Sequence, residues 1–132
     1  MNTIHLTTEE FLERVADFEN GHKWDYRGVR PAIVTFYADW CPYCRAIAPV
    51  LEQLARDYDG RLDVYKVNVD TDILVAVTYG ANIIPSTLLF CSGHKPQIIR
   101  GKIDASEMER TIERAFFRHA VQSKRVPAEI NA

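Results

Sequence analysis

The sequence predicts an α/β protein with a mixed central β-sheet flanked by helices, in the order βαβαβαββα. Three observations carry this prediction. Ala32–Ala38 and Leu62–Val69 are apolar and β-rich on both pleat faces, as strands buried inside a parallel sheet read. Between them, Ile47, Val50, Leu51, Leu54 and Tyr58 recur at helical spacing and give one apolar stripe. Further on, Thr87–Cys91 and Gln97–Gly101 flank a Ser92-Gly93 turn, which reads as an antiparallel hairpin.

Each element has a local reason. Ile4-His5-Leu6 forms a short opening strand, and Thr7 with Glu10 three residues on starts a helix through a capping box. That helix turns Phe11, Leu12, Val15 and Phe18 inward and is expected to end near Asn20-Gly21. Residues 21–30 hold Trp24, Tyr26 and Gly28 without periodicity, and read as a loop whose aromatics pack as a lid or meet a partner. A helix from Pro42 to about Tyr58 follows the strand at Ala32, with Pro49 removing one of its bonds. Asp70 is expected to cap a helix that buries Ile73, Leu74 and Val77 and stops at Gly80. Asp104 and Glu107 start a last helix, with Met108, Ile112, Ala115, Phe116 and His119 on one face.

The length of 132 residues suits a single domain, expected over residues 1–122 with a polar tail at 123–132. Sixteen basic and eighteen acidic residues leave a formal charge of −2, so there is no basic footprint for nucleic acid. No segment has the length of a membrane helix, and Met1–Glu10 lacks the basic start and apolar run of a secretory signal. A cytoplasmic protein without membrane contact is the expectation, unless a leader has been removed ahead of Met1.

Trp40-Cys41-Pro42-Tyr43-Cys44 places a CxxC where the buried strand turns into a helix. The first helical turn has N–H groups without intrahelical partners and the positive end of the dipole, so it favours an anion. Cys41 stands at the capping position, and Pro42 removes only an N–H that the helix does not use, leaving those of Tyr43 and Cys44 to face the sulfur. Thiols near a pKa of about 8.5 drop to roughly 3.5 to 7.5 in such settings, and the thiolate attacks disulfides. Cys41 therefore reads as the attacker. Cys44, one turn inward, reads as the resolving cysteine.

A zinc knuckle uses the same spacing. A closed zinc site needs four ligands, and beyond the pair the candidates are Cys91, His5, His22, His94 and His119, with no second CxxC. No metal and no cofactor are expected, the redox group being the cysteine pair. Cys91 ends the strand that Pro85 begins, and six residues at about 3.3 Å put it roughly 20 Å from the dithiol, so it reads as a buried small apolar residue outside the chemistry.

The chain resembles the thioredoxin family. The likeness runs from Ile4-His5-Leu6-Thr7 through Phe36-Tyr37-Ala38-Asp39-Trp40-Cys41, Lys66-Val67-Asn68-Val69-Asp70 and Ile84-Pro85 to Gly101. The resemblance implies a thioredoxin fold and a reductase of protein disulfides that is recharged by a thioredoxin-reductase-like donor and is monomeric. It makes Cys41 the nucleophile and Cys44 the resolving group. Pro85 would follow a cis peptide facing the dithiol, and the Ile84 backbone would pair with the substrate chain. Trp40, Pro42, Tyr43 and Gly101 complete the expected substrate surface.

Departures from the family pattern matter as much. Pro42-Tyr43 is the pair typical of glutaredoxins, where thioredoxins have Gly-Pro. Thr35 stands where the family has a buried aspartate that accepts the resolving cysteine's proton, and threonine cannot do this near pH 7. Lys66 thereby loses its family partner. Either its ammonium reaches solvent or Asp70, or its charge helps the Cys44 thiolate form. Arg100 and Lys102 flank Gly101 where the family is mostly apolar, and with Arg45 they tilt partner choice toward acidic surfaces.

Three functions follow. The first is a disulfide reductase cycling Cys41 and Cys44 through a mixed disulfide. The second is an oxidant, isomerase or glutaredoxin-like carrier, suggested by the Pro-Tyr pair. The third is a binding module on the same fold, with the CxxC incidental or metal-bound.

Overall fold

The computed structural model describes residues 2–117. The chain divides into two compact units, Met1–Lys102 and Ile103–Ala132. The first holds a five-stranded mixed sheet in the order β1-β3-β2-β4-β5. Its strands are β1 (Ile4–His5), β2 (Ala32–Tyr37), β3 (Asp63–Asn68), β4 (Ser86–Phe90) and β5 (Gln97–Arg100). Strand β3 runs parallel to both β1 and β2, while β4 is antiparallel to β2 and β5. This is the predicted α/β class.

Both faces of β2 are buried because helices cover them. Val34 and Phe36 point into one cluster with Phe11 of helix α1 (Thr8–Arg14) and Val15 just after it, and with Val75 and Tyr79 of helix α3 (Ile73–Tyr79). Full burial of each such side chain is worth about 1.5 to 3 kcal/mol. By the two-residue alternation of a strand, Thr35 faces the other way, where it shares a cavity with Ile47 and Leu51 of helix α2 (Pro42–Asp57). Helix α2 runs on through Pro49 and buries Ile47, Leu51 and Leu54, while Val50 is half-buried.

Helix α1 begins as predicted. Glu10 N–H donates to Thr7 Oγ1 at 3.1 Å, and Thr7 N–H donates to Glu10 Oε1 at 2.9 Å. It ends earlier than expected, at Arg14, because the Val15 carbonyl accepts the Arg27 N–H at 2.8 Å instead of continuing the helix. Gly21, in the left-handed region at φ 86°, closes a separate 3-10 turn at Phe18–Asn20. Of the loop aromatics, Tyr26 packs inward and stacks on Phe90 at 5.6 Å, while Trp24 stays exposed and meets Tyr79 edge-on at 6.2 Å.

Helix α3 departs from the sequence reading twice. Its capping position is Asp72, not Asp70, and the Asp72 carboxylate accepts Thr8 N–H and Thr8 Oγ1 at 2.8 and 2.9 Å instead of capping its own helix. Its buried residues are Val75, Ala76 and Tyr79, whereas Ile73, Leu74 and Val77 face solvent. Apolar residues on every side of this short helix left the stripe ambiguous. Tyr79 decides it, its ring lying among Phe11, Phe18 and Phe90 with its hydroxyl donating to the Lys23 carbonyl.

In the second unit, helix α4 (Ala105–Ile112) is capped by Asp104, whose Oδ1 accepts the Glu107 N–H at 2.8 Å. It passes into a π turn over Glu113–Phe117, which changes the residue spacing, so Ala115 and Phe116 do not continue the stripe of Met108 and Ile112. His119, the expected boundary at 122 and the tail at 123–132 lie outside the described residues.

Candidate active site

The end of β2, the start of α2 and the segment before β4 converge on the cysteine pair. Cys41 is the N-cap of α2 and Pro42 its first residue. The Cys41 sulfur accepts the Cys44 N–H at 3.3 Å, while the Cys41 thiol donates to the Ile84 carbonyl at 3.8 Å. Of the two N–H groups expected to face the sulfur, only that of Cys44 bonds to it. Both cysteines are buried against Ala38, with Tyr37, Val69 and Ile84 around them.

Ile84–Pro85 is a cis peptide, and the Pro85 carbonyl accepts the Gly101 N–H at 2.8 Å. Ile84, Pro85 and Gly101 are thereby gathered beside Cys41. Gly101 has φ 95°, a conformation that L side chains rarely adopt. Trp40 and Tyr43 stand exposed on either side of the first cysteine. The Trp40 indole N–H donates to both Asp70 carboxylate oxygens, at 3.0 and 3.3 Å, which fixes the ring. Lys102 Nζ lies 6.0 Å from the Tyr43 ring centre.

Behind Cys44 lies a cavity of about 290 Å³, bordered by Thr35, Tyr37, Asp39, Arg45 and Lys66. Burial pushes the Cys44 thiol up to about 12, its hydrogen bond with Cys41 adds to this, and the Arg45 charge opposes it. Thr35 is fully buried and shares a hydrogen bond with Thr87 at 2.9 Å, so no carboxylate stands at this position.

The basic residues are spent differently than expected. Lys66 sits 5.1 Å over the Tyr37 ring and does not pair with Asp70, which is occupied by Trp40. Its charge adds to the hydrogen bond from Thr3 that holds the Glu52 carboxyl below its ordinary range. Arg45 donates to the Asp39 carbonyl at 2.8 Å. Arg100 turns away from any partner: its guanidinium donates to the Gly80 carbonyl and to Asn82 Oδ1, closing the end of α3. Lys102 remains as the basic side chain beside the dithiol turn.

Sequence reasoning missed Asp70 as the anchor of Trp40, and Tyr37 as a wall of the cavity whose hydroxyl pairs with His5 Nδ1 at 3.0 Å. The nearest signal was their place in Phe36-Tyr37-Ala38-Asp39-Trp40 and Asn68-Val69-Asp70. Cys91 is half-buried, its thiol raised by burial, and it forms no disulfide. Among the described residues, no group of three or more His, Cys, Asp or Glu side chains is placed to hold a metal ion. No described helix is long and apolar enough to cross a membrane.

The Thioredoxin family profile matches residues 2–114 of this geometry. The chain belongs to the thioredoxin family. It is similar to a thioredoxin of Borreliella burgdorferi, with 34% identity over 113 residues covering 86% of this chain and 97% of that protein. It is also similar to thioredoxin 1 of Nostoc sp., 37% identical over 84 residues, which cover 64% of this chain and 78% of the relative. An M-type chloroplastic thioredoxin of Zea mays is 42% identical over 84 residues, 64% of this chain and 50% of that protein. With its paired cysteines, this thioredoxin-family chain is a thiol–disulfide oxidoreductase and acts as a protein-disulfide reductase.

Proposed function

We propose that the chain reduces protein disulfides through a mixed disulfide at Cys41 that Cys44 resolves. The observation that carries this reading is the capped sulfur: Cys41 accepts the N–H of the residue one turn further on, and that residue is the buried second thiol. The Cys41 thiolate attacks a substrate sulfur, one substrate thiolate leaves, and the substrate stays bonded to Cys41. Cys44 then loses its proton and attacks the Cys41 sulfur. The second substrate thiolate departs, and the two electrons lost by the pair leave Cys41–Cys44 as a disulfide. No metal or organic cofactor enters this cycle.

Trp40, Pro42, Tyr43, Ile84, Pro85 and Gly101 form the substrate surface in this reading. The Ile84 carbonyl, 3.8 Å from the Cys41 thiol, supports it because a chain lying there brings its half-cystine to the nucleophile. Thr35, Lys66 and Arg45 modulate Cys44: the neutral threonine provides no proton acceptor, and the two cations favour its thiolate. A thioredoxin-reductase-like protein returns the electrons, and the working form is a monomer. A compartment that keeps thiols reduced suits a reductant. That is the cytoplasm, or a chloroplast as in the name of the maize relative.

The Pro42-Tyr43 pair supports a second reading, an oxidant, isomerase or glutaredoxin-like carrier. A turn that stabilises the Cys41 thiolate stabilises the reduced pair and raises its potential. The reduction potential of Cys41–Cys44 in glutathione buffers at pH 7 separates the two. A value near about −270 mV is expected for the reductant, and one between roughly −200 and −120 mV would replace it with the second reading. In parallel, Cys44→Ser should accumulate a covalent adduct with a disulfide-bonded protein. Failure to do so would remove the mixed-disulfide step.

A further inference from the structure

Another cavity, of about 500 Å³, lies at the turn between β4 and β5, where Trp24, Asp25 and Tyr26 meet Gly93, His94 and Lys95. The register places it away from the dithiol. Ser86 pairs with Phe36 near the end of β2 that leads to Cys41, whereas Phe90, just before the turn, pairs with Ala32 at the other end. A strand of six residues, roughly 20 Å, runs between those ends. A volume of this size is in the range that holds a small molecule.

Its two aromatic residues are used differently. Tyr26 is spent on the fold, its ring stacked on Phe90 and its hydroxyl donating to the Arg30 carbonyl. Trp24 meets the core edge-on at Tyr79 and keeps 45% of its surface exposed. Two cations converge on that exposed ring. Lys23 Nζ stands 4.6 Å and Lys95 Nζ 5.0 Å from its centre, brought together from segments far apart in sequence. Among the described residues, neither ammonium has a carboxylate partner. Asp25, the acidic side chain on the lining, is taken by His22 Nδ1 at 2.9 Å. The cavity thus offers an indole and two positive charges that the fold leaves unneutralised, an arrangement that an anion completes.

We propose that this cavity binds a phosphate monoester carried on a flat ring, of which a nucleoside monophosphate is a simple example. The ring stacks on Trp24, and Lys23 and Lys95 take the phosphate. A phosphate monoester carries close to two negative charges at neutral pH, which matches the two ammonium groups. Lysine binds phosphate as a point charge, whereas a planar carboxylate is matched best by the arginine fork, and the lining holds no arginine. The four-carbon stem of each lysine lets its ammonium leave the ring for a phosphate oxygen, exchanging a cation–π contact for a charge-assisted hydrogen bond and freeing the indole to stack. A site for one phosphate differs from the extended basic surface that nucleic acid requires, which a chain of formal charge −2 does not supply. The inference uses neither cysteine and stands apart from the disulfide-exchange reading.

Nuclear magnetic resonance of the isotope-labelled full chain tests this, because the indole N–H signals of Trp24 and Trp40 report separately on the cavity and on the dithiol turn. Adenosine monophosphate is the probe. Adenosine presents the ring without the charge, and inorganic phosphate the charge without the ring. The monophosphate is expected to move the Trp24 signal saturably and to leave that of Trp40 in place, with adenosine and phosphate each binding at least about tenfold more weakly. A Lys23→Gln, Lys95→Gln variant, its fold checked by circular dichroism, should lose at least about tenfold in affinity for the monophosphate. No saturable shift at Trp24, equal binding of phosphate or adenosine, or an unchanged affinity in the variant overturns the inference. So does a peptide of glutamates that saturates the Trp24 shift at lower concentration than the monophosphate, which would assign the two lysines to an acidic segment of a partner protein.

Discussion

Thr35 and Thr87 face each other across the antiparallel β2–β4 pair, both buried, and their hydroxyls share a hydrogen bond of 2.9 Å. Thr35 lines the cavity behind Cys44, at the position where the family pattern has a buried aspartate. Each hydroxyl satisfies the other, so removing one leaves a buried polar group unpaired. Thr35→Val or Thr87→Val alone should cost about 1 to 3 kcal/mol in urea unfolding, and the double substitution should recover most of it. A double variant that loses the sum of the two would show that the hydroxyls do not act as a pair.

Burial sets the pH behaviour of Cys44. With its thiol pushed up to about 12 and the neutral Thr35 beside it, the thiolate fraction is small near neutrality and rises about tenfold per pH unit. Resolution of a preformed mixed disulfide, followed by quenched flow, should accelerate log-linearly from pH 6 to 9. A plateau near pH 7 would mean that another group in the cavity takes the proton.

The same shift acts on stability. Between the ordinary thiol value of 9.0 and about 12, the folded reduced protein holds a proton that the unfolded chain has released. Stability from Cys44 is therefore complete below 9 and is lost as pH rises through that window. Tyr26, Tyr65 and Tyr79 are raised by burial and act in the same direction. The comparison to make is reduced wild type against Cys44→Ala, in which the tyrosines cancel. The unfolding free-energy difference should shrink with pH on the alkaline side, and a constant difference would contradict the burial argument.

Asp72 ties the start of α3 to the start of α1 by accepting from both Thr8 N–H and Thr8 Oγ1. Burial raises its carboxyl, but hydrogen bonds from Thr71 and Thr8 outweigh this and hold it below its ordinary range. Its contribution is present above the ordinary carboxylate pKa and fades as pH falls below it. Asp72→Ala should lower stability by about 1 to 2 kcal/mol at pH 7 and by less at pH 3. Asp70→Ala, by contrast, should change the Trp40 fluorescence with little loss of stability, because that bond is exposed. Equal stability losses in the two variants would deny Asp72 its tying role.

Arg100 and Lys102 make opposite predictions. Arg100→Met removes the donor that closes the α3 terminus at Gly80 and Asn82, and should cost about 1 kcal/mol of stability without changing the rate ratio between acidic and basic peptide disulfides. Lys102→Met should leave stability unchanged and lower the rate with the acidic peptide. A rate ratio that moves with Arg100 instead would return that guanidinium to the docking surface.

Local chemistry made much of this protein readable in sequence. The doubly apolar runs at Ala32 and Leu62 marked central strands, Thr7 with Glu10 marked a capping box, and Cys41 before Pro42 marked a helix start, because each depends on residues within one turn or one pleat. Side-chain destinations across the fold were not readable. Where the Asp72 carboxylate at the start of α3 finds its donors, which apolar face of that helix turns inward, and whether Arg100 meets a partner or Gly80 are settled between segments distant in sequence. In α3, apolar residues pointed in every direction, and only the space beside Phe11 and Phe90 selected Tyr79 for the core and left Ile73, Leu74 and Val77 outside. The residue pattern determined the strands, the helices and the chemistry at Cys41. Packing, which satisfies buried volume and hydrogen bonds together, decided the surface around that chemistry.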